Sequence, residues 1–210
     1  WYFARSTREF LQNKAIAITA DELGRAIRAA ADGDPVTRSA IELIAVAEKV
    51  VANSRFMAEV IWRGFGRTAT IIYPAIAFPL PWERERSALS QCIVAIASTN
   101  TKGAGIVPEL AKAFPEETFL LCGFKKLTPF LQSRIDKKVV RNLVPMGHLP
   151  TPAVYALAKI VLVPSQWPEP YGRVVAEAAS RHIPMLASRT GGIPEAFSGE
   201  SHLITEFTST

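Results

Sequence analysis

The stretch from Val161 to Ala196 reads VLVPSQWPEPYGRVVAEAASRHIPMLASRTGGIPEA. An apolar strand, a Pro-rich loop and an Ala-rich helix follow one another. A second apolar run, Ile183–Ser188, and the pair Gly191-Gly192 come next. Two of its carboxylates are separated by seven residues: Glu169 in the loop and Glu177, expected about two turns into the helix. A loop joining a strand to a helix start presents free backbone N–H groups and the positive end of the helix dipole. Such a loop suits a diphosphate, while carboxylates on either side suit hydroxyl-rich groups. A nucleotide-sugar carries both.

Outward from this stretch the texture repeats. Apolar runs at 91–97, 118–122, 143–146, 160–163 and 184–187 alternate with helical segments such as Lys125–Asp136 and Pro152–Lys159. This alternation predicts a parallel sheet with helices on both faces, a Rossmann-like α/β fold. Ligands of such sheets bind at the carboxyl ends of the strands. Upstream, residues 1–47 read as helical. One segment opens at Asp21 and stops at Gly33-Asp34-Pro35, and a second is capped by Thr37. Lys49–Asn53 reads as a buried strand, Ser54 as the cap of a helix reaching Gly64, and Ala69–Tyr73 as a short strand. Pro74, Pro79 and Pro81 with the charged run 83–86 form the expected linker.

Composition narrows the classes. With 49% hydrophobic and 20% charged residues in 210, the chain is expected to fold rather than stay disordered. No apolar run approaches the roughly 20 residues of a membrane span, and no secretory pattern opens the chain. Cys92 and Cys122 sit in apolar runs and read as buried free thiols of a reducing compartment. No Cys/His grouping has metal-ligand spacing, so no metal is expected. The net charge of +5 suits anionic small molecules, nucleic acid or an anionic membrane surface. The basic residues are scattered and no nucleic-acid motif is present, so no nucleic-acid partner is expected.

Ser165-Gln166-Trp167-Pro168-Glu169-Pro170-Tyr171-Gly172 through Glu177-Ala178, then Ile183–Ser188, then Gly191-Gly192-Ile193-Pro194-Glu195, resembles the carboxyl-terminal half of retaining GT-B glycosyltransferases of group 1, family four. Val50–Ser54 with Phe56-Met57 resembles the end of the acceptor domain, and Ile71–Pro74 the crossover to the donor domain. Lys102-Gly103, Leu121-Cys122-Gly123 and Met146-Gly147-His148-Leu149 resemble the loops after the first three donor-domain strands. The likeness covers roughly residues 49–205.

The resemblance implies a site. Glu177 would accept hydrogen bonds from the ribose hydroxyls, although by itself it reads as a solvated helix glutamate. Glu169 would lie by the transferred sugar and stabilise positive charge at the anomeric carbon; its plainer role is a helix N-terminal acid. Pro170 and the backbone N–H groups of Tyr171, Gly172 and Arg173 would meet the diphosphate or sugar. Lys102 would neutralise the leaving diphosphate, and Gly123, Gly147 and His148 would line the base pocket. The common pattern has an Arg about five residues before the Lys, where this chain has Ala97. Arg173 either compensates or pairs with Glu177 at i+4. His182 and His202 read as structural or exposed, Ser165 lacks a nucleophile elbow, and Trp167 reads as pocket wall or core.

The implied activity is hexosyl transfer from a nucleotide-sugar with retention of configuration, with no cofactor beyond the UDP- or GDP-sugar substrate. The expected acceptor is a glycan or lipid-linked molecule, in polysaccharide biosynthesis. The expected location is cytoplasmic, with peripheral contact at the inner membrane face. Residues 1–88 are too short for a complete acceptor domain and read as an incomplete acceptor-side segment with linker. Residues 89–210 read as the nucleotide-sugar-binding domain, so a truncated transferase is expected. The alternatives are a nucleotide-sugar-binding module inactive on its own and a sugar-nucleotide epimerase of the same fold.

Overall fold

The computed structural model describes residues 19–76, 90–97, 99–126, 132–133, 135, 140–197 and 203–205. The helical reading of residues 1–18, most of the expected helix at 125–136, the linker from residue 77 on and His202 lie outside these.

Among the described residues two helices come first, α1 (Ala20–Ala30) and α2 (Pro35–Val46). Thr19 and Glu22 close α1 with a reciprocal capping box. The cap of α2 is Asp34 and not Thr37. The Asp34 carboxylate accepts from the Thr37 backbone N–H at 2.9 Å, and Pro35 takes the first helical position, where no N–H is needed. Asp34 holds its carboxyl below the usual range because the Thr37 hydroxyl and N–H both donate to it.

Strand β1 (Val51–Ala52) leads to α3 (Arg55–Phe65) and strand β2 (Thr70–Ile71), and the two strands pair in parallel. Both are shorter than their apolar runs suggest. Val51 is 57% exposed, which corrects the expectation of a buried strand. The buried side of this unit is Leu23, Ile27, Met57, Val60 and Ile61, where α1 packs on α3.

The larger unit alternates strand and helix as the sequence predicts. Its elements are β3 (Cys92–Ile96), α4 (Val107–Ala113), β4 (Phe119–Cys122), β5 (Leu143–Gly147) and α5 (Thr151–Ala156). They continue with β6 (Ala158–Val163), α6 (Arg173–Ala179), β7 (Met185–Ser188), α7 (Ile193–Ala196) and β8 (Leu203–Thr205). Helix α5 ends earlier than the periodicity suggests, because Ala158 and Lys159 already belong to β6. The strands form one six-stranded parallel sheet in the order β5-β4-β3-β6-β7-β8.

Strand alternation explains the two cores. Val161 and Val163 of β6 pack with α5, α6 and α7, while Leu162 between them faces α4 and the opposite side. All three are under 9% exposed, so each contributes roughly 1.5–3 kcal/mol of burial. Both faces of the strand are covered, which accounts for its continuous apolar run.

Cys122 is buried at the end of β4 and Cys92 opens β3, and both are free thiols. Burial pushes the Cys122 thiol up to about 11. Its thiolate fraction at pH 8 is then about one in a thousand. Iodoacetamide at that pH is expected to leave Cys122 unmodified until the chain is unfolded, as mass spectrometry of the alkylated protein would report. Rapid labelling of the native chain at Cys122 would contradict the burial. Among the described residues no helix is long and apolar enough to cross a membrane, and no group of three His, Cys, Asp or Glu could hold a metal ion.

Candidate functional site

Strand order sets the position of the site. From β3 the sheet extends to β4 and β5 on one side; the chain then returns to β6 on the other side of β3. At such a reversal the loops leaving the two central strands diverge and open a crevice at their carboxyl ends. The loop after β3 carries Lys102, and the loop after β6 carries Ser165 to Gly172.

The two loops are joined to each other. The Gln166 backbone N–H donates to the Thr101 carbonyl at 2.8 Å. Gly103, at φ +80°, lies so close to Pro164 that a Cβ there would sit 1.9 Å from the Pro164 oxygen. Lys102 Nζ is thereby brought to Glu169 Oε1 as an ion pair, with the side chains 36% and 13% exposed. Ser165 Oγ lies 3.0 Å from the same carboxylate oxygen. From the other side the Gly191-Gly192 turn grips the Glu169 backbone. The Gly192 N–H donates to the Glu169 carbonyl at 2.7 Å, and a Cβ on Gly191 would come within 2.3 Å of that carbonyl.

Helix α6 starts at Arg173, with Gly172 as N-cap at φ +92° and no side chain capping it. Glu177 is therefore just over one turn in, where two had been expected. Its Oε2 accepts from the Tyr155 hydroxyl at 3.0 Å, and its Oε1 meets Arg173 at 3.2 Å. The i+4 pairing of Arg173 with Glu177 is thus formed. A carboxylate has about four lone-pair positions, so Glu177 keeps room to accept from a vicinal diol. Burial, then the Glu177 charge, holds the Tyr155 phenol far above its ordinary range, so it stays a donor. Arg181 stacks over the Tyr155 ring at 4.8 Å and completes the support.

Two cavities lie here. One of about 370 Å³ is lined by Lys102, Ser165, Glu169, Pro170, Tyr171, Gly172 and Arg173, with Gly123 and Asn53. The other, about 130 Å³, is lined by Gly123, His148, Tyr155 and Glu177. They share Ile96, Gly123 and Val174 as walls. Gly147 lies just behind, its carbonyl accepting from the Gly123 N–H at 2.8 Å. Ala97 is fully buried. His182 is exposed, with φ +53°. Trp167 packs against the α1–α3 core rather than lining either cavity.

The sequence reading assigned no role to Asn53, Tyr155 or Glu195. Asn53 follows β1, so the carboxyl-end rule applied to the large sheet could have pointed to it. Tyr155 gave no signal, because its meeting with Glu177 depends on two helices packing on one sheet face. Glu195 stood in the quoted Gly-Gly-Ile-Pro-Glu run without a function.

This crevice and its loops belong to an α/β fold of the GT-B glycosyltransferase type. Residues 91–208, more than half of the chain, match the family of glycosyl transferases group 1, and the chain belongs to that family. Among solved structures it resembles Anabaena Alr3699/HepE in complex with UDP and glucose, at 23% identity and TM-score 0.67, over 87% of this chain and 53% of that one. It also resembles a mutant of S. aureus TarM in complex with fondaparinux, α-GlcNAc-glycerol and UDP, at 20% identity and TM-score 0.67, over 82% and 37%. A glycosyltransferase from Rickettsia africae follows, at 17% identity and TM-score 0.65, over 80% and 52%. The chain thus spans about half the length of Alr3699/HepE. No curated protein matches it. At these identities the likeness establishes the GT-B-type fold.

Proposed function

We propose that this chain is the donor-binding part of a retaining group 1, family-four glycosyltransferase that moves a hexose from a nucleotide-sugar to a glycan or lipid-linked acceptor. Residues 89–210 hold the donor, and residues 1–88 belong to the acceptor side. The observation that carries this reading is the arrangement of Lys102, Glu169 and Glu177 around two cavities with common walls at the strand-order reversal. The donor is a substrate, and the reading requires no resident cofactor. The net charge of +5 favours an acceptor at an anionic membrane surface.

In this reading Glu177 takes the ribose diol in the smaller cavity, beside Gly123, Gly147 and His148. The diphosphate lies along Pro170 to Arg173 with Lys102 over it. Glu169 faces the anomeric carbon. The acceptor hydroxyl attacks that carbon while the bond to the diphosphate oxygen breaks, and the departing diphosphate takes the hydroxyl proton on the same face. Lys102 compensates the charge that grows on the leaving group, and Glu169 the charge that grows on the sugar ring. Lys102 and Glu169 pair with each other, as do Arg173 and Glu177. Donor binding exchanges these partners: each carboxylate turns to hydroxyls and each cation to phosphate. Arg173 thereby supplies the second cation that Ala97 does not.

The test is thermal stability with UDP, GDP and ADP and their sugar conjugates. A ligand at about 100 times its dissociation constant adds about 2.7 kcal/mol, which for a chain of this size raises Tm by about 5–10 °C. The expected result is a shift with one base only, lost in Glu177→Ala and largely kept in Lys102→Ala when the ligand is the nucleoside without phosphate. Absence of a shift with every nucleotide would sink the donor-site reading. A shift with release of epimerised donor and no transfer would favour the epimerase.

A further inference from the structure

The four N–H groups that open a helix have no partner within it. At α3 the third, Met57 N–H, donates to Ser54 Oγ at 2.9 Å, and the helix's own bonding begins with Ala58 N–H donating to the Ser54 carbonyl at 3.0 Å. The first two are satisfied from 140 and 139 residues away. Arg55 N–H donates to Glu195 Oε2 at 2.7 Å and Phe56 N–H to Glu195 Oε1 at 2.8 Å. A carboxylate bridging two amides at the positive end of a helix is a charge-assisted arrangement.

Further contacts run alongside. The Tyr73 hydroxyl donates to Glu195 Oε2 at 3.1 Å, and the Tyr73 ring lies 5.6 Å from that of Tyr171, tilted by 37°. Glu195 sits two residues beyond Ile193, which follows the Gly191-Gly192 turn that grips the Glu169 backbone. One short segment therefore holds Glu169 with its glycines and the start of α3 with its carboxylate. Asn53, immediately before the Ser54 cap, lines the same cavity as Lys102 and Glu169. Among the described residues its side-chain amide has no hydrogen-bond partner. An uncharged group that both donates and accepts suits sugar hydroxyls.

We propose that Glu195 is a positioning residue that fastens the start of α3 to the donor-side loops, and that Asn53, held in the cavity wall by this attachment, contacts the transferred sugar. The first clause stands on the geometry alone; the second rests on the donor-site reading above.

Amide hydrogen exchange on the full chain tests the first clause. In Glu195→Ala the Arg55 and Phe56 amides are expected to exchange about tenfold faster or more. Met57, still held by Ser54, changes less and reports that α3 remains folded. Glu195→Gln keeps an acceptor oxygen and falls between. Equal protection of Arg55 and Phe56 in wild type and Glu195→Ala overturns the attachment. The second clause is read from dissociation constants for UDP and UDP-glucose, and for GDP and GDP-mannose. Asn53→Ala and Glu195→Ala are each expected to weaken a sugar conjugate about 3–10-fold relative to its nucleotide, with the nucleotide itself unchanged. An unchanged ratio in Asn53→Ala overturns the sugar contact. If wild type binds no nucleotide at all, it is the donor-site reading that fails, together with the sugar contact, and hydrogen exchange still decides the role of Glu195.

Discussion

In the transferase proposed above, replacing Glu169 by Gln is expected to lower the rate of sugar transfer about 10²–10³-fold while leaving nucleoside diphosphate binding no weaker. The expectation follows from where the carboxylate sits. It is only 13% exposed, it receives Lys102 and Ser165, and its backbone is clamped by the Gly191-Gly192 turn. A charge held this rigidly, away from bulk water, reorganises little when positive charge develops beside it, which is the condition for a large electrostatic contribution to the barrier. The amide keeps the shape and the Ser165 contact but removes the charge. It also leaves Lys102 without its counter-charge, so the ammonium becomes freer to meet a diphosphate. The signature is a fall in kcat with an unchanged or smaller KM, which separates loss of transition-state stabilisation from loss of ground-state binding. It is read as the rate of nucleoside diphosphate release from the sugar conjugate with acceptor supplied. A Glu169→Gln chain that turns over within threefold of wild type would remove Glu169 from the reaction.

The second large effect is structural. Gly103→Ala changes no charged group, yet it is expected to lower stability by about 3–5 kcal/mol, or roughly 10 °C in Tm. Two costs add. An L-residue in the left-handed region costs about 1–2 kcal/mol, and the new Cβ would lie 1.9 Å from the Pro164 oxygen, a contact that only backbone movement relieves. Gly66 separates these costs, because it has φ +66° and nothing within 4 Å of a built Cβ. Gly66→Ala should therefore show the conformational cost alone, about 2–8 °C. The backbone movement forced at Gly103 pushes the Lys102 loop from the Glu169 loop, so whatever folded Gly103→Ala protein remains should bind nucleoside diphosphate more weakly. Equal Tm losses in the two variants would show that the loops tolerate separation, and that the Lys102–Glu169 pair does not depend on their close approach.

Much of the large unit is legible in the chain itself. Strands β3 to β7 fall on the five apolar runs, and the two-face burial of Val161, Leu162 and Val163 explains why those runs are continuous. The Pro-rich loop, Gly172 and the glycine pair punctuate the chain where turns and close approaches occur. These are local signals: periodicity, φ preference and the missing N–H of proline act within a few residues of one another. For the same reason they mislead where two local solutions compete. Thr37 and Asp34 are both good caps; Asp34 prevails because Pro35 suits the first helical position. The run at 49–53 reads as buried, but its strand pairs only with β2 among the described residues and leaves Val51 exposed.

The sequence by itself determined the alternation of strands and helices, and with it the kind of sheet and the loops that a ligand would meet. Only the tertiary structure decided which loops meet. Lys102 reaches Glu169 across 67 residues because the strand order reverses at β3. Tyr155 reaches Glu177 because α5 and α6 share one face of the sheet. Glu195 reaches the start of α3 across 140 residues because a helix N-terminus needs acceptors and Ser54 supplies only part of them. Pairings of that length leave no periodic trace in a chain; they are fixed by the order of the strands and by the demand of helix ends and partly buried polar groups for partners.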